Sequence, residues 1–116
     1  MKITHYGDVA GKKFEGDTVK ALTGRVAIGG ADGAKNFCMR VFEVGPGGFT
    51  PRHSHDWEHE IFVHAGRGEV LREGAWKALA PGDAVFIPGG EEHQIRNAGD
   101  GAFVFVCLIP SGPPEL

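Results

Sequence analysis

Five short apolar stretches, each closed by glycine or proline, set the rhythm of the chain. Residues 37–44 (FCMRVFEV) run into GPGG, 60–65 (EIFVHA) into GRG and 68–73 (GEVLRE) into GAW. Residues 83–88 (DAVFIP) run into GGEE, and 102–109 (AFVFVCLI) into PSGPP. These stretches are rich in Val, Ile and Phe, and turn signals recur roughly every 8–12 residues, the pattern of an all-β sandwich or barrel. Helical periodicity is confined to about one turn near residues 17–21. The first 24 residues carry too little periodicity for a core of their own and are expected to form a peripheral segment. The barrel is assigned to 25–110, and SGPPEL (111–116) is expected to fray.

At 116 residues the chain fits one domain and one modest core. Its 19 glycines and seven prolines punctuate apolar stretches rather than forming a polar tract, so composition does not indicate disorder. A formal net charge of −3, with Lys12-Lys13 as the basic doublet, offers no electrostatic footprint for nucleic acid. The longest apolar run, AFVFVCLIP, is strand-sized, so no membrane span is expected, and the N-terminus has no signal-like apolar run. Cys38 and Cys107 are too few and too far apart for a disulfide framework, which points to a reducing, cytoplasmic setting.

The chemistry concentrates in HSHDWEHE, residues 53–60. In an extended chain alternate side chains share a face, so His53 and His55 point the same way, as two ligands on one strand would. Parity adds His59 to that face, together with Ile61 and Val63, and turns Glu60 away with Phe62 and His64. A turn between 55 and 59 would break this parity. Arg40 lies mid-strand and is left open: an inward guanidinium would anchor a carboxylate, an outward one would be an ordinary surface group. Cys107 and Phe105 alternate on the last apolar strand, facing either the barrel mouth or the core, with core packing favoured. His5 and His64 are read as surface or packing residues, and Phe14, Trp57 and Trp76 as packing or association residues. Glu58 is read as solvated, and Glu60 as solvated or as a partner for an imidazole N–H.

Two spacings carry a family resemblance. The first is Gly47, five residues, His53, one, His55, three, His59, six, Gly66. The second is Gly82, five, Pro88, one, Gly90, two, His93, three, Asn97, with residues 67–81 between the two. They resemble the two cupin motifs, with His59 standing where most cupins have Glu, and counting back from Gly66 selects His59 over Glu60. RHSHDWEHEIFVH is most similar to the small four-histidine, manganese-associated cupins.

The resemblance implies a jelly-roll (double-stranded β-helix) barrel and one divalent ion on His53, His55, His59 and His93. Manganese is expected first; iron, zinc, nickel or copper also suit imidazole donors. Four neutral imidazoles leave a divalent site at +2, which favours an anionic small molecule and leaves two positions of an octahedral ion open. These features lead to a metal-dependent oxidoreductase as the expected function. A sugar-acid isomerase or lyase, and a non-catalytic binding module, are the alternatives. Protons should compete with the metal near the ordinary histidine pKa of about 6.5. A homodimer is expected, covering the outward Phe62 and Phe42 and exchanging N-terminal strands.

Overall fold

The computed structural model describes residues 1–116 as nine antiparallel strands and two short 3-10 turns, at Tyr6–Asp8 and Gly30–Asp32. The strands are β1 (Lys12–Phe14), β2 (Lys20–Ile28), β3 (Phe37–Phe49), β4 (His59–Ala65), β5 (Gly68–Arg72), β6 (Ala75–Leu79), β7 (Ala84–Ile87), β8 (Ile95–Asn97) and β9 (Phe103–Pro110). They form one curled sheet in the order β6-β5-β8-β3-β9-β4-β7, with β2 pairing β3 and β1 pairing β2. The expected all-β jelly roll is therefore present. No helix is long and apolar enough to cross a membrane.

Side-chain alternation explains the core. In the β3–β9 ladder Arg40 faces Cys107, Phe42 faces Phe105 and Val44 faces Phe103. Across β4, Ile61 and Val63 join them from His59's face. Phe103, Val44 and Val63 are fully buried, and the cluster extends to Leu22, Val70, Leu79, Ile87 and Ile95. Alternate residues turn outward, so Phe62 is 52% and Phe86 60% exposed. All four motif glycines, at 47, 66, 82 and 90, have φ between +75 and +94°, which a side chain would strain.

Several expectations are corrected. Residues 16–18 form a bend and β2 begins at Lys20, so there is no helical turn near 17–21, and the 24/25 boundary falls inside β2. Strand β3 does not stop at Val44 but runs through GPGG to Phe49, where Lys20 of β2 and Arg96 of β8 pair with it. Phe42 lies inside, stacked on Phe105 at 5.6 Å between ring centroids, because it shares the face of Arg40 and Val44. The tail is docked rather than frayed. Arg40 Nη1 donates to the Glu115 carbonyl, the Gly30 amide donates to Glu115 Oε2, and Leu116 lies near Phe42 beside Gly24.

Candidate metal centre

His53 and His55 sit in the loop between β3 and β4, His59 begins β4, and His93 lies between β7 and β8. Reciprocal backbone hydrogen bonds place the two loops face to face: His53 N–H donates to His93 O (3.1 Å) and His93 N–H to His53 O (2.9 Å). The Gly90 amide donates to His55 O at 2.7 Å, tying the second loop to the first. As a result one potential ligand atom from each of His53, His55, His59 and His93 lies within 4.8 Å of the other three. Residues 54–58 leave the strand, yet Trp57 stays on the face that alternation from His55 gives it and stacks on His55 with ring centroids 4.1 Å apart and planes 7° apart.

Three of the four imidazoles, His55, His59 and His93, are oriented from behind. His55 Nδ1 donates to Trp57 O (2.8 Å) and His93 Nδ1 to Glu91 O (2.9 Å), since a carbonyl can only accept. In the neutral ring, each of these bonds leaves Nε2 bare and facing the other histidines. Glu60 has no part in this: it is exposed on the outer face, opposite Phe86 and Leu108. His59 is backed instead by Arg40 Nη2 (3.3 Å) and Cys107 Sγ (3.1 Å). Arg40 thus points inward, 7% exposed, and its Nε is buried without a partner. Cys107 is a core residue that also borders the site, and both cysteines are free.

Burial favours the neutral form of His53, His59 and His93. It pushes the His59 pKa down to about 3, helped by the Arg40 charge and then by the other imidazoles. His53 is also lowered, first by burial and then by His93 and His55; His93 is lowered by burial against an opposing hydrogen bond to Glu91. The Cys107 thiol is pushed up by burial, with Arg40 acting in the opposite direction. Converging imidazoles without a carboxylate among them are a donor set that an imidazole-binding divalent ion takes in its unprotonated form. Bonds of about 2.0–2.2 Å need donors no more than about 4.4 Å apart, so the cluster fits after a small contraction.

The histidines border a cavity of about 270 Å³ whose other walls include Phe14, Phe42, Trp57, Phe105, Ile61 and Ile87. Pro114 and Leu116 of the tail also border it, and Arg40 is its one permanently charged wall residue. Trp57 and Phe14 were read from sequence as packing or association residues. Alternation from His55 already points Trp57 toward the histidine face, whereas the place of Phe14 depends on the β1–β2 pairing, which no local pattern encodes. His5 and His64 lie elsewhere, both against Tyr6.

The sequence profile of the cupin domain (Cupin_2) matches residues 40–109, and the chain belongs to the cupin family. It is 41% identical over 71 residues to 1-methylthio-D-xylulose 5-phosphate methylsulfurylase of Rhodospirillum rubrum. That match covers 61% of this chain and 46% of that protein, so it spans less than half of the relative's length. Protein SchB of Streptomyces halstedii is 31% identical over 100 residues, covering 85% of this chain and 70% of SchB. Among solved structures, the polyketide cyclase RemF from Streptomyces resistomycificus superposes with a TM-score of 0.90 at 37% identity, covering 98% of this chain and 82% of RemF. Relatives of this fold thus include cyclases, lyases and isomerases.

Proposed function

We propose that this protein is a metal-dependent enzyme acting on a mainly apolar small molecule that presents an oxygen donor to a four-histidine ion. One observation carries the reading: four imidazoles converge on the wall of a mainly apolar cavity lined by no Asp or Glu side chain. The ion, manganese first by resemblance, supplies Lewis acidity to a ligand oxygen. Phe42, Phe105 and Trp57 offer flat apolar contact, and the docked tail helps keep water from that surface. Trp57 holds His55 in place by stacking and by accepting its Nδ1 proton. Arg40 forms no salt bridge, so its charge favours an acidic or enolisable ligand. Carbonyl activation fits these features, and the likeness to a polyketide cyclase along nearly the whole chain supports it.

The oxidoreductase reading uses the same ion and rests on the two positions that four donors leave open on an octahedral centre. A difference absorption titration of manganese-loaded protein with benzoylacetone, run in a sealed oxygen-electrode cell, separates the readings. The account expects a metal-dependent enolate band without oxygen uptake. Oxygen uptake at a catalytic rate would establish the oxidative reading. Neither signal would leave a binding module.

A further inference from the structure

Arg40 is a buried cation without an anionic partner. Its Nη2 donates to Cys107 Sγ at 2.9 Å, its Nη1 donates to the Glu115 carbonyl at 3.3 Å, and its Nε has no partner. The guanidinium also packs 4.9 Å from the centre of the Phe42 ring. Glu115 carries a carboxylate, yet turns it away: Oε2 accepts from the Gly30 amide at 2.8 Å. Gly29 leaves room for that oxygen, since a Cβ there would lie 2.5 Å from it. Taking a charge out of water without an opposite charge beside it is costly, and Arg40 is only 7% exposed on the cavity wall. Its bond to the Glu115 carbonyl is also longer than the ~2.7–2.9 Å of a guanidinium bound to an anionic oxygen. An anionic oxygen brought into the cavity would therefore displace that carbonyl.

The carbonyl belongs to a segment that few contacts hold. Backbone pairing of the tail ends at Ser111, whose N–H donates to Asn36 O at 3.1 Å. Gly112 follows with φ +116° and open space around it, and serves as the hinge. Beyond it, Pro114 and Leu116 border the cavity, and Leu116, 37% exposed, lies near Phe42 beside Gly24. Both polar ties of this segment come from Glu115, one to Arg40 and one to Gly30. We propose that Arg40 is an acid-binding subsite under a ligand-released strap. The anionic group of an aromatic acid takes the Arg40 Nη1 donor from the Glu115 carbonyl, and residues 113–116 unlatch as it binds. Only hydrogen-bond partners are exchanged. The inference rests on the reading of the cavity as a ligand site but does not require the ion.

The test uses the ¹⁵N-glycine-labelled full chain, both zinc-loaded and chelator-treated, with two probes of one shape. Naphthalene-2-sulfonate carries the charge, and methyl 2-naphthyl sulfone is its neutral counterpart. Calorimetry should give the sulfonate a Kd at least about tenfold below that of the sulfone, with or without zinc, as a hydrogen bond to a charged group implies. Arg40→Met should abolish that preference. The sulfonate should move the Gly30 amide signal to its position in Glu115→Ala, where the latch is gone, and the sulfone should leave it in place. Coupling between sites is reciprocal, so Glu115→Ala should bind the sulfonate about threefold more tightly than the parent. A sulfonate that binds without moving the Gly30 signal, or that binds Glu115→Ala more weakly, would overturn the strap. Equal affinities for the two probes, or a preference lost with zinc removal, would overturn the subsite at Arg40 even if Arg40→Met does not fold. If neither probe binds, the reading of the cavity as a ligand site fails, and the subsite with it.

Discussion

Replacing Gly89 with alanine probes how the two histidine loops are held together. A Cβ at Gly89 would press into the Asp56 carbonyl oxygen and lie 3.0 Å from its carbon. Both neighbours are backbone, so no side chain can rotate out of the way. Restoring a carbon–oxygen separation of about 3.3 Å moves the 88–90 segment and the 53–58 loop apart by roughly 1 Å. The adjacent Gly90 amide to His55 carbonyl bond, 2.7 Å long, stretches with them. Overpacking of this kind costs about 1–3 kcal/mol. At about 4 °C per kcal/mol, the melting temperature of Gly89→Ala should fall by about 4–12 °C. The shift is about twice the 0.5 Å tolerance of a preorganised site, so metal affinity should fall by at least about tenfold. Gly74→Ala is the control: its φ is +78° and its surroundings are open, so it adds backbone strain of about 1–2 kcal/mol far from the loops. Differential scanning fluorimetry and chelator competition on both variants decide the matter. Unchanged metal affinity in Gly89→Ala, or an equal loss in Gly74→Ala, would refute the reasoning.

His93→Ala removes the one ligand supplied by the second loop and should abolish most metal-induced thermal stabilisation, measured as the melting-temperature difference with and without manganese; an undiminished difference contradicts this. In the metal-free protein, His59 titrates near 3 when folded and about 6.5 when unfolded, so its contribution to stability is full above pH 6.5 and is lost as pH falls toward 3. Melting temperature should therefore decline from pH 7 to 4.5, less steeply in His59→Asn, and equal slopes would count against the assignment. The lowered values for His53, His59 and His93 also shift proton competition for the metal below the 6.5 expected from sequence, so chelator-competition affinities should change less between pH 7 and 6 than four ordinary histidines would allow. Exposed Phe62 and Phe86 adjoin Val106 and Leu108 on the outer face, and light scattering should give twice the 12.4 kDa chain mass, falling to one chain in a Phe62→Glu, Phe86→Glu double variant; a 12.4 kDa parent would exclude the dimer.

Where side-chain alternation and motif spacing coincided, the sequence was legible. Ile61 and Val63 fixed the inward face of β4, and with it the choice of His59 over Glu60. Strand β2 was less visible because a glycine interrupts its inward face between Leu22 and Val26: Gly24 is there to clear the Phe42 ring and Leu116, a requirement set by distant residues. Strand β8 is three residues long and gains its place from partners in β3 and β5. The tail looked frayed because its anchors, Gly30 and Arg40, lie 85 and 75 residues away. Arg40 itself was ambiguous. Local parity allowed either face, and only pairing with Cys107 across β9 places the guanidinium behind His59.

The central claim is tested most directly by anomalous X-ray diffraction from crystals of the protein as isolated, recorded on both sides of the manganese, iron and zinc absorption edges. The account predicts a single ion about 2.0–2.3 Å from the Nε2 atoms of His53, His55, His59 and His93, with Glu60 and Cys107 outside its coordination sphere. No anomalous peak among the four histidines, or an ion coordinated by Glu60 with His59 turned away, would contradict it.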